Sequence, residues 1–182
     1  MEKIKVGIFI DSRKKSGGAY QEFTYTLNNI SKELSKYKNI DFLLICTSPK
    51  LDLNLEKQNI NFLYFTLNIF ERFICYLRNF GPFVRRIKKY FFFKNRFEHF
   101  IKKNKVNLIY FVGPSQYSLY LEDTKFFINI PDVNHRENLE FPEIVDNSEF
   151  LRKEEILNNS LPRALAVITN SEIIKKKNFF LL

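Results

Sequence analysis

IKVGIFI (Ile4–Ile10), followed by DSRKKSGG (Asp11–Gly18) and AYQEFTYTLNNISKEL (Ala19–Leu34), is the stretch on which the fold turns. The first run is short, rich in β-branched residues and bounded by polar ones, the signature of a strand buried on both faces. In the third, Ala19, Phe23, Leu27, Ile30 and Leu34 recur at spacings of three and four, which is the apolar stripe of a helix. A buried strand, a glycine-bearing turn and an amphipathic helix make the opening unit of an α/β sheet.

The rest of the chain repeats the alternation. DFLLICT (Asp41–Thr47), INFLYF (Ile60–Phe65), VNLIYFV (Val106–Val112), KFFINI (Lys125–Ile130) and ALAVITN (Ala164–Asn170) read as five further strands. Helical stretches are expected over 68–80 and 82–103, with Gly81–Pro82 marking the break between them. A further helix carries Phe150, Leu151, Glu154, Glu155 and Leu157, and Asp146 with Glu149 forms its capping box. The expected fold is a doubly wound, mostly parallel, Rossmann-like α/β sheet in one domain over residues 1–182, with right-handed crossovers. SEIIKKKNFFLL (Ser171–Leu182) begins like a new helix and stops, so a further domain is expected to follow.

Apolar residues make up 45% of the 182, which excludes a disordered chain. The formal net charge of +9 favours phosphate-bearing partners: nucleotides, nucleic acid or an anionic membrane face. A Lys-, Asn- and Phe-rich composition bias accounts for the same excess without any partner. Cys46 and Cys75 lack Cys-x-x-Cys spacing and read as buried thiols in a reducing compartment. MEKIKVGIFID has no cleavable leader pattern, and INFLYFTLNIFERFICYL is interrupted by Asn68, Glu71 and Arg72. A cytoplasmic protein is expected, with peripheral contact at the inner face of the plasma membrane left open.

The charge is concentrated. Residues 69–105 hold eleven Lys and Arg against Glu71 and Glu98, so this segment accounts for the whole net charge. Aromatic residues interleave with them, and Arg85, Arg86, Lys88 and Lys89 form the densest cluster. Such a segment suits a membrane interface, with rings toward the acyl boundary and cations on lipid phosphates. Two other readings stand beside it: a helix face covering the sheet with its cations in solvent, and a single-stranded nucleic-acid surface. His99, amid this segment, has no evident chemical task.

Ligands of open α/β sheets sit beyond the carboxyl ends of the strands. There, Gly17 and Gly18 precede a helix whose free N–H groups favour an anion, with Lys14 and Lys15 nearby. Neither G-x-G-x-x-G nor the Walker pattern is present, and ICTSPK ends the second strand without an acid for a ribose, which argues against a dinucleotide. A Gly-Gly pair is also simply a turn. After the fifth strand, PDVNHRENLEFPEI (Pro131–Ile144) brings Asp132, His135 and Arg136 to the same rim. A histidine with an ordinary pKa near ~6.5 accepts a proton from a hydroxyl at neutral pH, a neighbouring carboxylate orients it, and Arg136 suits a phosphate. The alternative is a solvated loop in which His135 caps a carbonyl.

Taken in order, Gly-Gly-x-x-Gln, then Pro131, Asp132 and His135, then Phe141–Pro142–Glu143, a charged helix, and Ala166, Val167, Ile168, Asn170, Ser171 and Glu172 resemble the N-terminal half of GT-B-type glycosyltransferases of family 4 (group 1). The resemblance covers nearly the whole chain. It implies transfer of a sugar from a nucleotide-sugar donor to a glycan or lipid-linked acceptor in cell-surface polysaccharide synthesis, with no metal and no other cofactor. By position, Gly17, Gly18 and Ser171 would meet the donor, and Asp132 and His135 would line the reacting cleft. Arg85, Arg86, Lys88 and Lys89 would face the membrane or a lipid-linked acceptor. Where many members carry His before the Asp, this chain has Pro131, so His135 is the substitute candidate. The C-terminal donor-binding half is not in this sequence, so the isolated chain is expected to be inactive alone; a truncated reading frame, an isolated domain and one subunit of a split enzyme, its donor half a separate chain, are the open alternatives. The rival expectation is a non-enzymatic basic module binding lipid phosphate, and nucleic acid is not the expected partner.

Overall fold

A computed structural model describes residues 3–11, 18–33, 36–37, 39–48, 61–80, 94–137, 149–172 and 176. Six strands appear in these: β1 (Ile4–Ile10), β2 (Ile40–Cys46), β3 (Asn61–Tyr64), β4 (Leu108–Phe111), β5 (Lys125–Ile130) and β6 (Ala166–Thr169). Each falls within one of the apolar runs read as strands, except that β2 starts one residue earlier, at Ile40. The helices are α1 (Gly18–Glu33), α2 (Ile69–Phe80), α3 (Arg96–Lys103), the single turns α4 (Tyr117–Tyr120) and α5 (Asn134–Glu137), and α6 (Glu149–Ser160).

The strands lie in the order β3-β2-β1-β4-β5-β6, and every pairing is parallel. The protein is therefore a Rossmann-like α/β fold, with the reversal of strand order falling between β1 and β4. On one face, Phe23 and Leu27 of α1 pack on Ile8, Ile10, Leu44, Cys46 and Val112. On the other, α2, α3, α4 and α6 cover a larger core in which the ring of Phe9 lies 5.6 Å from Phe97, 5.2 Å from Phe111 and 4.8 Å from Tyr117. Gly7 is required by close approach, because a Cβ there would stand 3.0 Å from Val106 Cγ1 and 3.1 Å from Ile45 Cδ1.

The expected helix over 82–103 is corrected at its C-terminal part. Lys94 and Asn95 are not helical, and α3 begins anew at Arg96. Asn95 is the reason: its backbone is extended (ψ 105°) and its Oδ1 accepts from Glu98 N at 3.0 Å, an N-cap. The same side chain also accepts a hydrogen bond from the Cys75 thiol at 3.2 Å and donates Nδ2 to Tyr120 O at 2.6 Å and to Glu122 Oε1 at 3.0 Å. Asn95 thus joins α2, α3 and the entry to β5. Asn68 and Glu71 start α2 in the same way, each side chain accepting from the other's backbone N–H at 2.8 and 2.9 Å. The capping box read at Asp146 lies outside the described residues, as do Gly81–Pro82.

At the other end of α3 the chain turns through Lys105 at φ 55°, with Val106 N donating to Ile101 O at 3.1 Å and Lys105 N to Lys102 O at 3.0 Å. That is a Schellman ending with lysine where glycine is normally favoured.

Two stability predictions follow from the ends of α3. Lys105→Gly relieves the left-handed backbone and is expected to stabilise the protein by about 1 kcal/mol, read as a higher urea midpoint. Asn95→Ala removes a cap and leaves the Tyr120 carbonyl and Glu98 N–H buried without it, an expected loss of about 2–4 kcal/mol by the same measurement.

Candidate functional site

Because every strand runs the same way, the turns after β1, β4, β5 and β6 meet at one rim. Gly18 opens α1 there, beyond β1, and Ser171 lies two residues past β6, exposed, its carbonyl accepting from Thr169 Oγ1 at 3.3 Å. β4 alone separates β1 from β5, so their carboxyl ends stand roughly 10 Å apart. Gly17, Arg85, Arg86, Lys88, Lys89 and the Phe141–Pro142–Glu143 turn lie outside the described residues.

The turn after β5 is where the structure departs most from a solvated loop. Val133 is buried, its carbonyl accepts from Arg136 N at 2.9 Å, and Asn134–Glu137 close into the helical turn α5. Asp132 remains exposed. His135 is 2% exposed, its ring 5.6 Å from that of Phe150. Its Nε2 lies 2.8 Å from Glu154 Oε1 on α6. Arg136 grips the same carboxylate with both arms, Nε to Oε1 and Nη2 to Oε2, each at 2.5 Å. The carboxylate beside His135 is therefore Glu154, and the Arg136 guanidinium read as a phosphate contact is engaged by it.

The geometry fixes the imidazole's protonation. A carboxylate opposite Nε2 requires the proton there, so we assign the Nε2–H tautomer. Nδ1 is then a bare acceptor, and it is buried with no hydrogen-bond partner. Burial pushes the His135 pKa below its ordinary value; the Glu154 hydrogen bond opposes this, and the charges of Lys153 and Arg136 reinforce it. Hydrogen bonds from Arg136 and His135, against the opposing effect of burial, hold the Glu154 carboxyl below the usual range. Donating to the Glu154 carboxylate in turn raises Arg136. The result is a neutral ring held by one nitrogen, with its bare Nδ1 in the turn that follows β5.

Sequence reading singled out His135 and missed Glu154. The signal was there: Glu154 stands one helical turn beyond Phe150, so the ring and the carboxylate that meet His135 share one face of α6. It also missed the contact at the ends of β1 and β2, where Thr47 Oγ1 donates to Asp11 Oδ1 at 3.3 Å. Cys46 and Cys75 are free and buried, on opposite faces of the sheet, and burial pushes their thiols up to about 12 and about 11. Neither is a nucleophile at neutral pH. Among the described residues, no group of three or more His, Cys, Asp and Glu could hold a metal ion, and no helix is long and apolar enough to cross a membrane.

Comparison with known proteins returns no match: no family model, no curated protein and no solved structure matches the chain.

The His135 environment has a consequence for acid stability. Its folded pKa is below the ordinary 6.5, so between the two values the unfolded chain binds the extra proton. The stability contributed by the neutral ring is complete above the unfolded value and is lost as pH falls below it. Glu154, also lowered, adds its own loss only further down, below its ordinary 4.5. The urea midpoint of the wild type is expected to fall between about pH 7 and about pH 5, whereas that of His135→Leu is expected to change less over that window.

Proposed function

We propose that this chain is the acceptor-side lobe of a glycosyltransferase, one that passes a sugar from a nucleotide-sugar donor to a hydroxyl of a glycan or lipid-linked acceptor. Two supports combine. One is the ordered resemblance from the Gly-Gly turn through Pro131, Asp132 and His135 to Ser171. The other, which carries the reading, is His135 Nδ1: an acceptor with no hydrogen-bond partner, on a neutral ring whose other nitrogen is committed to Glu154, at the carboxyl rim of a Rossmann-like sheet.

In this reading an acceptor-sugar hydroxyl donates its hydrogen bond to Nδ1. As its oxygen attacks the anomeric carbon, the bond to the diphosphate breaks and the nucleoside diphosphate leaves with the bonding pair. The hydroxyl proton passes to Nδ1, and Glu154 stabilises the imidazolium formed, the task a carboxylate performs behind any catalytic histidine. Burial, reinforced by the charges of Lys153 and of Arg136 on the shared carboxylate, keeps the ring neutral before the substrate arrives. The N-terminus of α1 at Gly18 suits the donor diphosphate. A second lobe would supply the remaining donor contacts. At 2% exposure the imidazole is closed to solvent, so the acceptor must displace its cover, of which the Phe150 ring is part.

The test is acceptor binding by the full chain, followed by saturation-transfer NMR over a panel of oligosaccharides and detergent-solubilised lipid-linked sugars. Binding of at least one acceptor is expected, with the ¹⁵N shift of His135 Nδ1 moving from that of a bare acceptor toward a hydrogen-bonded one. His135→Gln is expected to weaken that acceptor by about tenfold or more, the value of one hydrogen bond to a buried polar group. No acceptor bound by the folded wild type, or an Nδ1 shift that ignores the bound acceptor, overturns the proposal.

A further inference from the structure

α2 is amphipathic in the reverse sense. Its inward face carries Cys75 and Asn79 with Ile74, while Ile69, Phe70, Phe73 and Tyr76 point outward at 87%, 58%, 55% and 39% exposure. Spacings of four and three place Ile69, Phe73 and Tyr76 in one row, with Phe70 beside it. A water-facing stripe of one aliphatic and three aromatic side chains is a surface with an occupant.

The charge of the sequence that carries it says which. The acids of residues 69–105 are both engaged: Glu71 with Arg96 at 2.5 Å, and Glu98 with Lys102 at 3.5 Å and with the backbone N–H groups of Glu122 and Thr124. Both carboxylates of this segment are thus paired, and the acid that meets the stripe from outside it, Glu155 of α6, is hydrogen-bonded to the Tyr76 hydroxyl. In the sequence, Phe80 is followed directly by thirteen residues, 81–93, with four cations and no acid. The remainder of the chain is electrically balanced. An apolar protein partner would leave this one-sided charge unanswered; an anionic lipid interface answers both the rings and the charge.

We propose that the outer face of α2, built on Ile69, Phe70, Phe73 and Tyr76, docks into the headgroup–acyl boundary of an anionic bilayer. The helix is twelve residues long and lies on the surface rather than across it. α2 follows the carboxyl end of β3, so its first turn lies at the same end of the sheet as the turn after β5. The inference rests on α2 and on the charge of residues 69–105, and it holds whether or not the chain transfers sugars.

The test is flotation of the full chain with vesicles of mixed phosphatidylglycerol and phosphatidylcholine, against vesicles of phosphatidylcholine alone. The wild type is expected to float with the first and not the second. Ile69→Ser/Phe70→Ser/Phe73→Ser, all at exposed positions, is expected to keep the melting temperature and to bind about tenfold or more weakly. The chain has no tryptophan, so Phe73→Trp supplies a single emitter, expected to shift to the blue on mixed vesicles and not on lipid-free protein. Three results overturn the proposal: no flotation of the wild type, equal flotation of the serine variant, or an emission unmoved by bound vesicles, which would leave adsorption by charge alone. A wild type that is dimeric by light scattering, does not float, and becomes monomeric in the serine variant would instead assign the stripe to a second copy.

Discussion

Every strand of this sheet runs in the same direction, and that constraint divides the molecule. Each connection must carry the chain from the carboxyl rim back to the amino rim, so turns that follow strands gather at one end and turns that precede them at the other. Polar groups have sorted accordingly. At the amino rim they build. Glu98 accepts from Glu122 N, Thr124 N and Thr124 Oγ1 at 2.9, 3.0 and 2.7 Å, Arg78 pairs with Glu122 at 2.7 Å, and Arg163 donates to the carbonyls of Leu119 and Leu121. Buried ion pairs of this kind add little net stability over apolar packing, but removing one partner strands the other at a cost of several kcal/mol. They fix the register at which the chain enters β5, and with it where the turn after β5 emerges.

At the carboxyl rim the polar groups are arranged differently. Glu154 is fully used, yet the ring it holds is not: His135 Nδ1 is buried without a partner. A buried acceptor left unsatisfied costs about 1–3 kcal/mol, and native cores contain few of them. Folding alone gives no reason to put an imidazole there when a leucine or phenylalanine would fill the space. The contrast between a satisfied amino rim and an unsatisfied atom at the carboxyl rim is the physical basis for reading the second as a site.

The sheet was legible in the sequence because buried parallel strands are written as short, continuous β-branched runs, and IKVGIFI, KFFINI and ALAVITN leave little choice. The restart of the chain at α3 was not, since Lys94–Asn95 breaks a basic aromatic pattern that reads as helix throughout, and the decision rests on what the Asn95 side chain reaches from 20 to 27 residues away. The site was half legible. Asp132 and His135 could be placed on the rim from strand order alone. The burial of His135 could not, because NHRE is polar by composition and its histidine is interior only where the Phe150 ring meets it.

α2 shows why periodicity reveals a stripe without saying which way it faces. Helices are usually read with the apolar side inward, since burying it is the largest favourable term available. Here three polar side chains of α2 have dedicated partners in the interior. Cys75 donates to Asn95, Asn79 donates to the carbonyls of Cys75 and Leu119 at 3.3 and 2.9 Å, and Arg78 meets Glu122. Turning the helix over to bury Ile69, Phe70 and Phe73 would expose those partners' unmet groups inside the protein, several at once. The net gain from each exposed ring, already half covered where it stands, is smaller than the sum of those losses. The polar contacts therefore fix the rotation of α2, and the apolar stripe faces outward as a consequence.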